Sequence, residues 1–408
     1  MFSRTFGFVA LILPILVLAA EEAGNPPGFA ECVVRLQDTA LEQGISSTVV
    51  NKDLADVNYV VRVIELDRKQ PEFSESFATY FERRVTQDRI VKGRALLAEH
   101  RQLLNRISRE FGVPAQYLVS FWGLETNFGS YFGKMPILDS LATLACDPRR
   151  SEYFTGELIN ALKIIDEGSI TSEKMQGSWA GAMGHTQFMP SVFLRYALDY
   201  DADGKRDLWG SLPDALASAA NFLRGIGWQK EQRWGREVSL PKNFPYEKAG
   251  LATRLSLQQW QALGVRQSSG ANLPDEDMQA SLLVPTGHEG PAFLVYDNFH
   301  VIMRWNRAEA YALAVGHLAD RINGAGTLKR QPVQAPRLSR EQITTLQTTL
   351  NETGFAAGEP DGVLGPGTRA AISRYQQSRQ QIADGFVSKS LLAELGVTRY
   401  LGKPSEPD

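Results

Sequence analysis

From Ala115 to Phe128 the chain reads AQYLVSFWGLETNF, a helix-length run that is apolar nearly all the way round. A helix at a protein surface keeps one polar stripe toward water; a helix without that stripe has to be enclosed on every side. The run therefore demands several surrounding helices, and the rest of the chain supplies them. Leu96, Leu97, Leu103, Leu104, Ile107 and Phe111 recur at helical spacing between Gly93 and Gly112, and Gly112-Val113-Pro114 ends that segment. Helical periodicity returns over Phe29 to Leu36, Tyr153 to Glu167, Ser191 to Leu198 and Leu212 to Gly225, while Phe244 to Asn323 mixes short strand-like and helical pieces. The expected fold is mainly α. A chain of 408 residues has room for two or three domains at ~150 residues each.

Composition removes several classes of activity. Lys and Arg total 43 against 46 Asp and Glu, a net charge of −3, so there is no cationic surplus to neutralise phosphates and nucleic acid is not an expected partner. His100, His185, His288, His300 and His317 lack metal-ligand spacing, and neither a GxSxG elbow nor a P-loop occurs, which argues against zinc, serine and nucleotide chemistry and for no organic cofactor. Cys32 and Cys146 are too few for a disulfide framework. One bridge between them is permissible in an oxidising compartment, and the sequence leaves open whether they pair. At the front, Arg4 precedes a mostly apolar stretch from Phe6 to Ala20, broken by Pro14 and ending in Leu-Ala-Ala before Glu21. It is shorter than the ~20 apolar residues of a spanning helix and has the make-up of an export signal, residues 1–20. Glu21 stands where a lipoprotein would need a cysteine.

Three segments carry chemistry. In the all-apolar helix, Glu125 is surrounded by two Phe, a Trp and a Leu; ionisation there is costly, which raises the pKa toward that of a general acid. Glycosidases normally add a second carboxylate as base or nucleophile, and none lies within about ten residues of Glu125. The block Gly177 to Ser191, GSWAGAMGHTQFMPS, is rich in small residues interrupted by amide, hydroxyl and aromatic groups, a surface on which backbone can lie against a sugar. Asp199-Tyr-Asp201-Ala-Asp203-Gly204-Lys205-Arg-Asp207 has the Asp-x-Asp-x-Asp-Gly opening of an EF-hand loop, but Gly210 replaces the closing Glu. Asp214 is the nearest residue able to close the shell, so the expected set is Asp199, Asp201, Asp203, Lys205 (by its carbonyl) and Asp214 around a structural Ca²⁺.

GLETNFG, GSWAGAMGHTQFMPS and MRWNRAEAYALAV together resemble the B-type lytic murein transglycosylases, lysozyme-like enzymes of the bacterial cell wall, over roughly Phe29 to Asn323. The resemblance implies that Glu125 is the sole acid and then base. It would protonate the oxygen between N-acetylmuramic acid and N-acetylglucosamine, then accept a proton from the muramic C6 hydroxyl as a 1,6-anhydro ring closes. It also implies glycan contacts at Tyr80, Arg149, Arg150, Ser178, Met183, Gln187, Phe188, Asn306 and Tyr311, with Trp305 standing where a tyrosine is familiar and Phe222 likewise lacking a hydroxyl. Members of this family carry a similar lengthened acidic loop. A physical use for Arg149 and Arg150 is to bind carboxylates of stem peptides and lactyl groups.

After the Pro-containing stretch 327–337, residues 338–401 repeat an Asp-Gly turn followed by a helix, once at Asp361-Gly362 with Thr368 as N-cap and once at Asp384-Gly385 with Ser388. This tail resembles the three-helix peptidoglycan-binding module, and which of its residues touch the wall is left open. The expected architecture is a signal peptide (1–20), a lysozyme-like catalytic domain (21–326), a linker (327–337) and a wall-binding domain (338–401). The implied protein is a soluble periplasmic monomer whose partners are glycan strands and stem peptides, with cell-wall synthesis or divisome proteins as further candidates. A hydrolytic muramidase and a catalytically silent wall-binding protein are the alternatives.

Overall fold

In a computed structural model, residues 25–69 and 75–397 are described; the expected signal segment 1–20 and the last residues of the expected module, 398–401, lie outside them. The body of the chain begins with helices α1 (Phe29–Glu42), α2 (Val61–Lys69), α3 (Phe77–Arg84), α4 (Gln87–Glu99), α5 (Arg101–Phe111) and α6 (Ala115–Thr126). It continues with α7 (Ile137–Ala145), α8 (Ser151–Asp166), α9 (Pro190–Tyr196) and α10 (Leu212–Gly225), then closes with α11 (Asp297–Trp305) and α12 (Glu309–Ile322).

The run AQYLVSFWGLET forms α6, with every residue from Tyr117 to Leu124 buried. Helices α4, α5, α10 and α12 enclose it. Its buried hydroxyl, Ser120, donates to the Val315 carbonyl at 2.7 Å, which offsets the cost of placing a polar group in that core. A second core is built by α1, α7, α8 and α9. Trp305 packs against both cores and so marks the cleft between them.

The segment expected as one helix from Gly93 to Gly112 is two. His100 takes φ −93° and ψ 19°, ending α4 and starting α5, and its ring lies 6.0 Å from Trp122. A local period of apolar residues continues across such a break, so periodicity alone does not reveal it.

Residues 235–295 add a five-stranded sheet: β1 (Gly235–Ser239), β2 (Gly250–Ser256), β3 (Arg266–Gln267), β4 (Gln279–Leu283) and β5 (Ala292–Val295). The order is β2-β4-β5-β1-β3, all antiparallel. The central strand β5 reads Ala-Phe-Leu-Val without alternation and is buried throughout, as a strand covered on both faces must be.

Cys32 and Cys146 form a disulfide that ties α1 to the end of α7, with Cα atoms 5.9 Å apart. The C-terminal module has α13 (Arg340–Glu352), α14 (Pro366–Ser378) and α15 (Lys389–Glu394) around Leu346, Leu350, Ile372, Tyr375 and Leu391. Ser388 caps α15 by accepting from the Leu391 N–H at 3.1 Å. Thr368 does not cap α14: that helix starts at Pro366, which is pre-organised for a first helical turn, and the Thr368 hydroxyl instead accepts from Gln347 at 3.1 Å. The stretch 327–337 has no helix or strand but is held to the body. Glu237 accepts the N–H groups of Lys329 and Arg330, and Gln334 bonds Glu82 at 3.0 Å and Thr79 at 3.1 Å.

Candidate active site

Glu125 occupies the last turn of α6. The chain leaves that helix through Asn127, Phe128 and Gly129, all left-handed at φ 50°, 60° and 73°. That conformation is unfavourable for Phe. It is held by the Gly129 N–H bonded to Thr126 Oγ1 at 3.0 Å and by the Phe128 ring set edge-on to Trp122. Gly123 allows the fold-back, since a side chain there would collide with the Phe128 ring. The abrupt exit leaves Glu125 at the edge of the cleft, part-buried rather than sealed in.

Two donors converge on one carboxylate oxygen. Trp305 Nε1 donates to Glu125 Oε1 at 2.9 Å, and the Tyr311 hydroxyl donates to the same atom. They flank the short connection from α11 to α12, which Asn306 holds by accepting the Ala308 N–H at 3.1 Å. Phe121, one turn before Glu125, packs on Trp305 with ring centroids 4.4 Å apart. Since Oε1 already accepts two bonds and Oε2 has no hydrogen-bond partner among the described residues, the proton of the acid form sits on Oε2.

Burial raises the Glu125 pKa; the Tyr311 hydroxyl, the Arg84 cation and the Trp305 N–H pull the other way. No other carboxylate is among the groups that shift it. Tyr80 lies within electrostatic reach of Glu125, and the Arg83 and Arg84 guanidinium groups lie 5.8 and 5.6 Å from its ring centre. A lone, protonatable carboxyl with donors fixed to one oxygen can deliver a proton and take one back from the same side.

The Gly177 to Ser191 block forms the adjoining wall. Ser178 turns its hydroxyl inward, accepting the N–H groups of Ala182 at 3.0 Å and Ala180 at 3.3 Å. Met183 is 0% and Phe188 2% exposed, and Phe188 packs edge-on to Phe222 and Trp305. These two side chains thus form the packed support beneath the wall rather than an open surface. Gln187, left-handed at φ 50°, donates its amide to the carbonyls of Phe132 at 3.1 Å and Gly184 at 3.0 Å, and its oxygen has no hydrogen-bond partner among the described residues. Phe222 completes the aromatic cluster, 5.1 Å from Trp305.

Sequence reading named Arg149 and Arg150 but missed the residue that holds them. Asp67 on α2, with its side chain 2% exposed, receives Arg149 Nη1 at 2.7 Å, Arg150 and Arg68. Nothing local in LDRK signals a partner about eighty residues on. A buried carboxylate among three guanidinium groups is strongly held, and deleting it leaves the cations unpaired. Asp67→Ala is expected to destabilise the fold by about 2–3 kcal/mol, discounted for the partly exposed arginines. An unchanged chemical-denaturation midpoint would rule this out.

His185 was also passed over except as a non-ligand. Its Nδ1 accepts the Trp122 indole N–H at 2.9 Å, its backbone N–H bonds the Leu208 carbonyl at 2.8 Å, and its own carbonyl accepts from Thr126 at 3.0 Å. Burial lowers its pKa to about 4, so the ring stays neutral and serves as a strut between α6 and the acidic loop.

In that loop Asp199, Asp201 and Asp203 bring one oxygen each within 4.8 Å of one another. The donor set is all carboxylate oxygen, which suits a hard cation such as Ca²⁺. Lys205 follows with its N–H on Asp203 at 2.9 Å. Asp214 is 0% exposed and lies beneath the loop, within electrostatic reach of Asp201. Its oxygens accept the N–H groups of Tyr200 at 2.7 Å, Asp201 at 3.3 Å and Asp207 at 2.9 Å. It shapes the loop from beneath by fixing backbone donors.

A family model described as the transglycosylase SLT domain matches residues 28–320. The chain belongs to this family. A second model, of a peptidoglycan-binding domain, matches residues 339–395. Among curated relatives, the membrane-bound lytic murein transglycosylase B of Escherichia coli (strain K12) is 36% identical over 249 residues, which span 60% of this chain and 66% of that relative, just under two thirds of its length. Among solved structures, SltB3 of Pseudomonas aeruginosa in complex with NAG-anhNAM-pentapeptide is 42% identical with a TM-score of 0.87, covering 91% of this chain and 100% of that one. An Escherichia coli lytic transglycosylase in complex with calcium is 30% identical with a TM-score of 0.65, covering 74% of this chain and 95% of that one. The SLT-domain body and its C-terminal module therefore have counterparts both separately and in combination.

Proposed function

We infer that this SLT-domain protein is a peptidoglycan lytic transglycosylase, a lyase that cleaves the bond between N-acetylmuramic acid and N-acetylglucosamine without consuming water. The observation that carries the reading is Glu125: a part-buried carboxyl of raised pKa, with two donors on Oε1 and no other carboxylate among the groups that shift it. In the acid form, Oε2 gives its proton to the bridging oxygen as the C1–O bond breaks, with the 2-acetamido group assisting at C1. Trp305 and Tyr311 then stabilise the carboxylate left behind. That carboxylate takes the C6 hydroxyl proton as the C6 oxygen closes on C1, giving the 1,6-anhydro end and returning Glu125 to its starting form. Every proton is accounted for, and no base for water is required. The likeness to a relative solved with an anhydro-muropeptide supports this product class.

Digestion of purified sacculi followed by mass spectrometry of the muropeptides tests it. The expected products are lighter by one water than their hydrolytic counterparts. Reducing ends would assign a muramidase, and an absence of products would assign a binding protein. A role in wall remodelling and turnover follows from this chemistry. We propose that it acts in the periplasm; the apolar segment 6–20 and the Cys32–Cys146 bridge support export to an oxidising compartment. No helix among the described residues is long and apolar enough to cross a membrane.

We further propose that Asp199, Asp201 and Asp203, with the Lys205 carbonyl, hold Ca²⁺, which would supply a fixed positive centre for a loop otherwise burdened by repelling carboxylates. Asp214 contributes by orienting the loop backbone. Adding Ca²⁺ to chelator-stripped protein is expected to raise the melting temperature, by about 2.7 kcal/mol of stabilisation at one hundred times the dissociation constant. Asp201→Asn should weaken that response, and a calcium-independent melt would dismiss the site.

A further inference from the structure

The two Asp-Gly turns of the C-terminal module share the same three hydrogen bonds. In the first, Gln347 accepts the Gly362 N–H at 2.8 Å and donates to Asp361 Oδ1 at 2.8 Å, which also accepts the Val363 N–H at 2.9 Å. In the second, Gln376 accepts the Gly385 N–H at 2.8 Å and donates to Asp384 Oδ1 at 2.9 Å, which also accepts the Phe386 N–H at 3.0 Å. Each glycine is left-handed, at φ 73° and 69°, and each packs on the backbone of an arginine seven residues before that glutamine, Arg340 or Arg369. In both turns the glutamine thereby holds Oδ1 and leaves Oδ2 outside the Gln-Asp-Gly bonds.

The two copies differ in what meets that oxygen. Asp384 Oδ2 accepts the backbone N–H of His288 at 2.9 Å and contacts His288 Nδ1 at 2.6 Å, while Phe386 packs on Gly287. Arg369 of the same copy is exposed, within electrostatic reach of the Glu309 carboxylate of α12 but not paired with it. The second turn is thus met by the body, which offers a pair of donors to the aspartate and the Gly287 backbone to the aromatic ring. In the first copy Asp361 and Arg340 are exposed, Asp361 Oδ2 has no hydrogen-bond partner among the described residues, and Val363 is 55% exposed. Arg340 uses only Nε, on the Asp361 carbonyl at 3.1 Å.

We propose that the Arg340–Asp361 turn is a stem-peptide site of the module. Its ligand offers an N–H or ammonium donor to Asp361 Oδ2, as the body does to the other copy, together with a carboxylate to the exposed Arg340 guanidinium and an apolar group to the exposed Val363. A peptide with both amine and carboxylate groups meets this demand; an uncharged sugar face does not. The proposal rests on the reading that the module binds peptidoglycan, for which its family match over residues 339–395 is the support.

The test uses the full chain carrying Glu125→Gln, so that the wall is not digested, sedimented with intact sacculi and with glycan strands stripped of peptide by an amidase. Asp361→Asn and Arg340→Gln are each expected to lower sacculus affinity about tenfold, the loss of one charge-assisted contact, while leaving affinity for stripped strands unchanged. Asn keeps the oxygen that Gln347 and Val363 need, so the turn persists; if that variant melts early, Arg340→Gln, which lies outside the Gln-Asp-Gly bonds, decides alone. Undiminished sacculus binding by Arg340→Gln overturns the site. Equal losses on sacculi and stripped strands overturn the peptide as its ligand. Failure of the Glu125→Gln chain itself to sediment with either would instead defeat the wall-binding reading of the module.

Discussion

Glu125→Gln is expected to lower turnover of sacculi by about 10³–10⁴-fold, because one side chain serves as both acid and base. The amide oxygen still accepts from Trp305 and Tyr311, so the aromatic cluster around the site is retained while the transferable proton is lost. The same substitution has a stability signature with a definite sign. Burial raises the Glu125 pKa in the folded state above its unfolded value of ~4.3. Between the two values the folded protein binds more protons than the unfolded one, so stability falls as pH rises through that window and the deficit persists above it. Gln does not ionise, and the variant should therefore melt higher than wild type at neutral pH and converge with it near pH ~3, below both values. For the wild type, activity that requires the acid form declines as pH rises through the folded-state pKa. A variant that retains full turnover defeats the assignment of Glu125; a variant that is inactive but also melts lower defeats the account of its environment.

Loss of the Cys32–Cys146 bridge is the largest expected effect on the fold. The bond closes a loop with a sequence separation of 114 residues, for which the chain-entropy model gives about 4–5 kcal/mol. In a protein of this size that corresponds to a melting temperature lower by roughly 10 °C. A Cys32→Ser/Cys146→Ser double variant, compared with the oxidised wild type in thermal melts, measures it. Addition of reductant should shift the wild type toward the variant and leave the variant itself unmoved. Coincident melts of variant and oxidised wild type would show that the link between α1 and α7 is already secured by packing. The bridge joins α1 to the end of α7, and neither helix carries Glu125, Trp305 or Tyr311, so the variant is expected to keep its turnover at temperatures where it is folded.

The acidic residue that matters was legible because of its neighbours. A carboxylate in a run without a polar stripe has few explanations, and GLETNF with its two flanking glycines pointed to both the enclosed helix and a carboxyl whose pKa burial raises. The same logic could not find the hydrogen-bond donors to Glu125. Trp305 and Tyr311 follow it by 180 and 186 positions, and only the packing of α11 and α12 against α6 brings them to one oxygen. Trp305 was noted only as standing where a tyrosine is familiar; it is its indole N–H that reaches the carboxylate. Asp67 left no trace at all, since its meaning lies in arginines that approach from another helix. The acidic loop shows the intermediate case. Its three exposed aspartates follow a local spacing and were read directly, whereas the inward turn of Asp214, which bonds loop N–H groups, depends on the burial of the first turn of α10.

The sequence by itself determined what local chemistry dictates: a helix that must be enclosed, a carboxyl that resists ionisation, an acidic turn spaced for a hard cation and two Asp-Gly turns in the tail. The tertiary structure decided what depends on contacts between distant segments. It fixed which oxygen of Glu125 is held, joined Cys32 to Cys146, gave the arginine pair its anchor and set one Asp-Gly turn against His288 while leaving the other open. The physical reason is range: conformational preference and desolvation are encoded within a few residues, whereas the partner of a buried polar group is chosen by packing.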